Sequence, residues 1–346
     1  MATASLNFQS LRAVFAAKVT SYPQWLIIAA VGLLFVFMPQ LPNNDWQRNA
    51  SQIPLGLSIY SDPAYVYPPW ALLLLFPHYL LGSAGTRVAS VLIIGLLAQI
   101  KGWSLGQFLS IALAPLFLWT MVLSSADVLI LVGAVLLWDW NVSLRALPRG
   151  LALALLLLKP QVTFLLVLYW LWTLRRQPRE LLSILAVGVL ITLPISLLGT
   201  PPLLLQWVTN LTRPVAANLD HWVYNNLSLT YRYGLPFALV VVVVAFGALY
   251  LWLRRRGRAW SHDAANSTAL TVAMLTAPYA SNQSAIVPLA LHPSWRVTLL
   301  QYVLVFGTAI LNAYALADDW ILLVLTLLAI ALSAHFRQRN TSNAAR

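Results

Sequence analysis

The stretch "GLALALLLLKPQVTFLLVLYWLW", residues 150–172, is apolar on either side of Lys159-Pro160 and is bounded by Arg149 and by Arg175-Arg176. Basic clusters that flank apolar runs stay on the cytoplasmic side of a membrane. Both ends of this stretch therefore belong on one face, with only 25 residues between Arg149 and Arg175. The spacing predicts a segment that enters the bilayer and turns back at Lys159-Pro160. Proline breaks the helix there, and non-helical backbone at depth is tolerated only beside protein or a water-filled cavity. A lysine at such a tip costs about 2.5–3.5 kcal/mol on insertion scales, so an anionic partner is expected. The plainer alternative is a tilted span whose lysine snorkels to the interface.

The rest of the chain agrees with a membrane setting. Of its 346 residues, 60% are hydrophobic and 9% charged, and mean hydropathy is +0.77. A soluble domain carries about a quarter charged residues. Apolar runs recur from residue 25 to residue 334 without a long polar linker. The expected fold is all-α: a single polytopic transmembrane domain over residues 1–346. The net charge of +12 comes mostly from arginines in short clusters such as "LRRQPRE" (174–180) and "RRRGR" (254–258). That placement favours topology and contact with anionic membrane lipids over nucleic acid. The absence of cysteine excludes disulfides, thiol catalysis and Cys-ligated metals.

Threading starts with Arg12 and Lys18 inside, ahead of "WLIIAAVGLLFVFM" (25–38), read as an uncleaved first span. An external segment follows over 39–82, in which the run Pro68–Leu81 is too short to cross and is expected to lie at the interface. Spans then run inward from about Thr86 to Ile100, outward over 104–123, and inward over 128–140. The external turn "SSAD" (124–127) joins the last two. After the Lys159 hairpin, 181–199 leads to a second external segment, 200–233, and 235–253 returns. Residues 264–295 form a second hairpin around "APYASNQS" (277–284). Final spans at 297–314 and 320–335 are joined outside by Asp318-Asp319. The total is about eleven or twelve membrane segments. Six acids, Asp45, Asp62, Asp127, Asp220, Asp318 and Asp319, fall outside, against Asp139, Glu180 and Asp263 inside.

Two external motifs invite chemistry. In "NNDWQRNA" (43–50), Asp45 sits just beyond the first span, where a partly desolvated carboxylate can serve as general base; the alternative is a helix cap or loop residue. "SDPAYVYPPW" (61–70) reads either as a turn within the interfacial aromatic belt or as a rigid aromatic mouth able to stack on sugar rings. No Gly-rich phosphate loop, His-x-x-x-His or Asp-x-Asp is present, which argues against nucleotide use and against a metal.

Taken in order, these motifs resemble glycosyltransferase family 87, membrane enzymes of the GT-C class that use polyprenyl-phosphate-linked sugars, typically mannose. The resemblance spans about residues 25–295. It rests on Asp45-Trp46, on the string Tyr60, Tyr65, Tyr67, Pro68, Pro69, and on Pro115. Lys159-Pro160, Asn226-x-Ser228-Leu229 and Pro278-Tyr279 complete it. It implies that Asp45 is the catalytic base and that Lys159, helped by Arg213 and Arg232, meets the donor phosphate. Tyr60, Asp62, Tyr65, Tyr67, Asp127, Asn226 and Asn282 would contact sugar or acceptor. The chain departs from the family at "SSAD", where members commonly carry Gly-Gln. It departs again at Asn282-Gln283, where aromatic and His residues are usual.

The resemblance implies a metal-independent, inverting sugar transfer that needs no cofactor. A polyprenyl-phosphate-linked donor would give its sugar to a lipid or glycan acceptor at the extracytoplasmic face of the inner (plasma) membrane. A flippase of lipid-linked sugars is the rival, because broken helices and intramembrane charges also mark transport paths. A surface-polysaccharide polymerase fits less well, since the loop 200–233 holds only Arg213 and Arg232.

Overall fold

The computed structural model describes residues 21–39, 45–61, 65, 67–138, 146–212, 228–255, 262–277, 280, 282–291 and 293–313. Among the described residues there is no strand. Three helices among the described residues are long and apolar enough to cross a membrane: Phe76–Ile100, Pro178–Ser196 and Leu235–Trp252; a bent pair at 105–122 makes a fourth if counted as one span. Large apolar side chains stand exposed on their outer faces, among them Leu190 and Val243, while Arg87, Asp127 and Lys159 are buried. That inversion of the soluble pattern suits a hydrocarbon surround.

Helix α1 (Tyr22–Val36) opens on Ser21, whose backbone N–H donates to the Gln24 side chain at 3.2 Å. After α2 (Asp45–Arg48), a 3-10 segment (Ala50–Ser61) and α3 (Ala71–Leu74), helix α4 (Phe76–Ile100) returns antiparallel to α1. Small residues let the two approach closely: a Cβ at Gly95 would lie 2.8 Å from Ile28 Cγ2. Helix α4 is interrupted at Gly82, where φ is +67° and ψ 178°. The short run after the aromatic string is thus a separate piece, as expected. The returning helix resumes directly after Gly82, before the expected Thr86, because glycine supplies the left-handed φ that separates the two.

The expected span 104–123 is broken into two helices, α5 (Leu105–Ala112) and α6 (Pro115–Val122), bent by 56°. Pro115 cannot continue α5 but suits the first turn of α6. The break is sealed from α16 (Trp295–Ala313), whose Tyr302 hydroxyl donates to the Leu113 carbonyl at 2.6 Å and whose Thr298 donates to the Ser110 carbonyl at 2.6 Å. Neighbouring helices re-satisfy backbone in this way wherever water is absent.

The Lys159 stretch turns back as its spacing requires. Helix α7 (Asp127–Trp138) packs antiparallel to α8 (Ala146–Leu156): a Cβ at Gly133 would meet the Ala152 carbonyl at 2.9 Å. Helix α9 (Pro160–Leu174) then leads to α10 (Pro178–Ser196). Arg149 forms an ion pair with Glu180, and Gly150 and Leu153 lie against Val187 and Gly188. Helices α8 and α10 therefore run side by side in one direction, so α9 between them must run back. Arg149 and Arg175 share one end of the bundle, and Lys159 lies at the other.

Helices α11 (Leu203–Thr212), α12 (Leu229–Tyr233) and α13 (Leu235–Arg255) follow. The second expected hairpin consists of α14 (His262–Thr276), a 3-10 turn at Asn282–Ala285 and α15 (Ile286–Leu291). Its first arm packs on α9 and its second on α7. Residues 314–335, with Asp318-Asp319, lie outside the described residues, as does Asp139.

Candidate active site

Helix α6 ends in a Schellman turn. The Ser124 N–H bonds the Met121 carbonyl at 3.0 Å and the Ser125 N–H the Thr120 carbonyl at 3.0 Å, with Ser124 at φ +50°. A left-handed non-glycine residue costs about 1–2 kcal/mol. The turn aims Asp127, first residue of α7, into the bundle interior, where it is fully buried.

Three segments distant in sequence meet at that carboxylate. Lys159 Nζ donates to Oδ2 at 2.8 Å, Ser125 Oγ donates to the same oxygen at 2.6 Å, and Ser284 Oγ donates to Oδ1 at 2.9 Å. Lys159 belongs to the tip of one hairpin and Ser284 to the tip of the other, so the carboxylate ties both tips to the "SSAD" turn. The expectation of an anionic partner for Lys159 holds: Asp127 of the same chain accepts from its ammonium. The resemblance implied a donor phosphate for Lys159 and a sugar or acceptor contact for Asp127, and the structure joins these two residues to each other. A buried ammonium must be paired, and the packing brings the Asp127 carboxylate to it.

The backbone around Lys159 is satisfied locally. Thr163 Oγ1 donates to the Leu156 carbonyl at 2.7 Å, closing the end of α8. Helices α7 and α9 both begin at the ion pair, at Asp127 and Pro160. The C-terminal ends of α6 and α8 arrive at the same place, so helix-end dipoles of both signs meet at the pair.

The aromatic string packs directly over the pair. Lys159 Nζ lies 5.7 Å from the centroid of the Tyr67 ring, a cation–π contact. Tyr60 donates its hydroxyl to the Tyr67 carbonyl at 2.8 Å, and the Tyr60 and Tyr65 rings meet edge-on at 5.5 Å. Burial pushes both phenols above their ordinary pKa, and for Tyr60 the neighbouring Tyr65 adds to it. They remain neutral hydrogen-bonding groups. The Tyr65 hydroxyl is buried without a partner among the described residues. Trp70 donates to the Ala154 carbonyl at 3.2 Å and meets Trp207 edge-on at 6.1 Å. Asn210 donates to the Tyr65 carbonyl at 2.9 Å. Residues of α11 in the second loop thus hold the first loop against the hairpin.

Asp45 begins α2, which packs on the first turns of α4: the Trp46 indole donates to the His78 carbonyl at 2.8 Å. The same carbonyl accepts from Thr86 at 3.3 Å, and nearby Ser83 and Ser124 share a hydroxyl contact of 2.6 Å. Helix α2 therefore stands at the Lys159 end of the bundle. The side chains of Asp45, Arg232 and Asn282 lie outside the described ones, although their backbones start α2, belong to α12 and start the late 3-10 turn. Asp62, Arg213 and Asn226 lie wholly outside the described residues.

Ser125, Ser284 and Asn210 were not singled out from sequence, and Arg87 was likewise passed over. Arg87, 1% exposed, donates to the Phe35 and Met38 carbonyls at 3.0 and 2.6 Å and so caps α1 from within α4. A charged residue inside an apolar helix was the available signal for it. No group of three or more His, Cys, Asp or Glu that could hold a metal ion occurs among the described residues. The chain matches no family model, no curated protein and no solved structure.

Proposed function

We propose that this protein is a membrane glycosyltransferase of GT-C type, which moves a sugar, by the resemblance mannose, from a polyprenyl-phosphate donor to a hydroxyl of a lipid or glycan acceptor. The observation that carries the reading is a convergence. The Lys159 hairpin tip, the Tyr60–Tyr65–Tyr67 cluster and the helix that begins at Asp45 all occupy one end of the bundle, away from Arg149 and Arg175. In this reading that end faces the extracytoplasmic side of the inner membrane, within a topology of eleven or twelve segments.

The chemistry follows from the charges. The acceptor hydroxyl gives its proton to the Asp45 carboxylate as its oxygen attacks the anomeric carbon. The bond from that carbon to the phosphate oxygen breaks with inversion. The leaving polyprenyl phosphate is already anionic, so it needs positive potential and no acid. Lys159 supplies that potential, while Asp127 holds the ammonium in place. Arg213 and Arg232 would approach the phosphate from the second loop.

The broken helices around a buried ion pair equally favour a second reading, a flippase of lipid-linked sugars. Purified protein reconstituted in vesicles with radiolabelled polyprenyl-phosphate-mannose and membrane lipid extract separates the two. Label transferred to a new product supports the enzyme, and label that only changes leaflet supports the flippase. Label that does neither removes both readings.

A further inference from the structure

A second polar cluster lies far from the Lys159 end, on α14. Asn266, Ser267 and Thr271 are at most 1% exposed. Both amide atoms of Asn266 and the hydroxyls of Ser267, Thr268 and Thr271 have no hydrogen-bond partner among the described residues. Buried Ser and Thr in an apolar helix ordinarily satisfy themselves on the carbonyl four residues back. In this protein Ser90, Thr120, Thr192 and Thr276 do so. Ser267 and Thr271 do not.

Helix α9 packs along α14, and its Trp170, 3% exposed, also has an indole N–H without a partner. The two helices are antiparallel, because Pro160 and Thr276 both lie toward the Lys159 end. Trp170 is ten residues from Pro160 and Asn266 ten from Thr276, about 15 Å along each helix, so the two sit at the same level. Of the other buried residues of α9, all but Thr163 beside the Lys159 tip are apolar. Unpaired donors and acceptors thus gather along about two turns of α14, with the Trp170 indole at the level of Asn266, and buried unpaired groups in a native structure call for an explanation.

We propose that α9 and α14 enclose a hydrated, uncharged binding site lined by Trp170, Asn266, Ser267 and Thr271, which takes neutral hydroxyl groups. With amide, hydroxyl and indole groups and no charge, it is matched to water or to the hydroxyls of a sugar, and not to phosphate. This inference stands independently of sugar transfer at Lys159.

The absence of cysteine makes the test direct. Ser267→Cys and Thr271→Cys, each a single thiol in the full chain, are labelled with a small hydrophilic thiol reagent in vesicles, alongside Ala273→Cys, which is fully buried on the same helix. The expected result is labelling at least about ten-fold faster at 267 and 271 than at 273. Protection by added methyl mannoside identifies a sugar as occupant, and unchanged labelling in its presence identifies water. Labelling as slow as at 273 overturns the proposal. The cysteine-free double variant Ser267→Ala/Thr271→Val gives a second readout: a thermal midpoint that holds or falls supports the site, whereas one that rises shows a dry, unsatisfied cluster and overturns it.

Discussion

Replacing Asp127 by asparagine would take an ionised partner from the buried Lys159 ammonium, and the structure sets the size of the effect. At 2.8 Å, two unit charges attract by about 6 kcal/mol at an effective dielectric of about 20, before the cost of desolvating each is subtracted. Removing one partner of a buried pair destabilises by about 3–5 kcal/mol, because the other charge stays uncompensated. The hydrogen bonds from Ser125 and Ser284 weaken as well, since they lose an ionised acceptor. Lys159→Met alone leaves a buried carboxylate and should cost a similar amount. The double variant Asp127→Asn/Lys159→Met leaves no charge and should cost much less than the sum, with a coupling of about 2–3 kcal/mol within the range seen for residues in contact. The assay is a double-mutant cycle by reversible denaturation in detergent micelles, using near-ultraviolet circular dichroism. Single-variant costs that simply add would refute the reasoning, for they would mean that the two charges do not depend on each other.

Asp45→Asn should lower mannosyl transfer about 10²–10⁴-fold while leaving the unfolding midpoint unchanged, as measured by radiolabelled product and by thermal denaturation. Arg87→Met frees the Phe35 and Met38 carbonyls at the end of α1, losing hydrogen bonds from a charged donor worth about 1.5–3 kcal/mol each; a stability loss confined to a few tenths of that in the same denaturation assay would contradict the capping role. Gly133→Val forces α7 away from the Ala152 carbonyl, 2.9 Å from the new Cβ, and should cost about 1–3 kcal/mol by overpacking, whereas a substitution on the lipid-facing side such as Val243→Leu should be nearly silent.

How much of the site was legible in the sequence differs residue by residue. Lys159 was conspicuous, because a lysine beside a proline in a long apolar stretch violates two local rules at once. Tyr60, Tyr65 and Tyr67 were conspicuous as a string, and they do cluster. Ser284 was not, since a serine in a polar turn has many uses, and it lies 157 residues from the carboxylate it bonds. Arg87 read as one of many arginines, and the carbonyls it caps are 49 and 52 residues away.

Helix breaks, apolar faces and the turning-back of residues 150–172 were determined by the sequence alone, because proline geometry, glycine φ and hydropathy act within a few residues and need no partner. The kink at Pro115 is equally local, set by a ring that cannot continue α5. Only the tertiary structure decided that Asp127 answers Lys159, that Ser284 closes the opposite side, and that Arg87 caps the first helix. In an apolar surround, association is settled by close packing at small residues such as Gly95, Gly133 and Gly150 and by polar groups finding each other across helices. Both depend on which faces meet, and that is a property of the assembled bundle and not of any one segment.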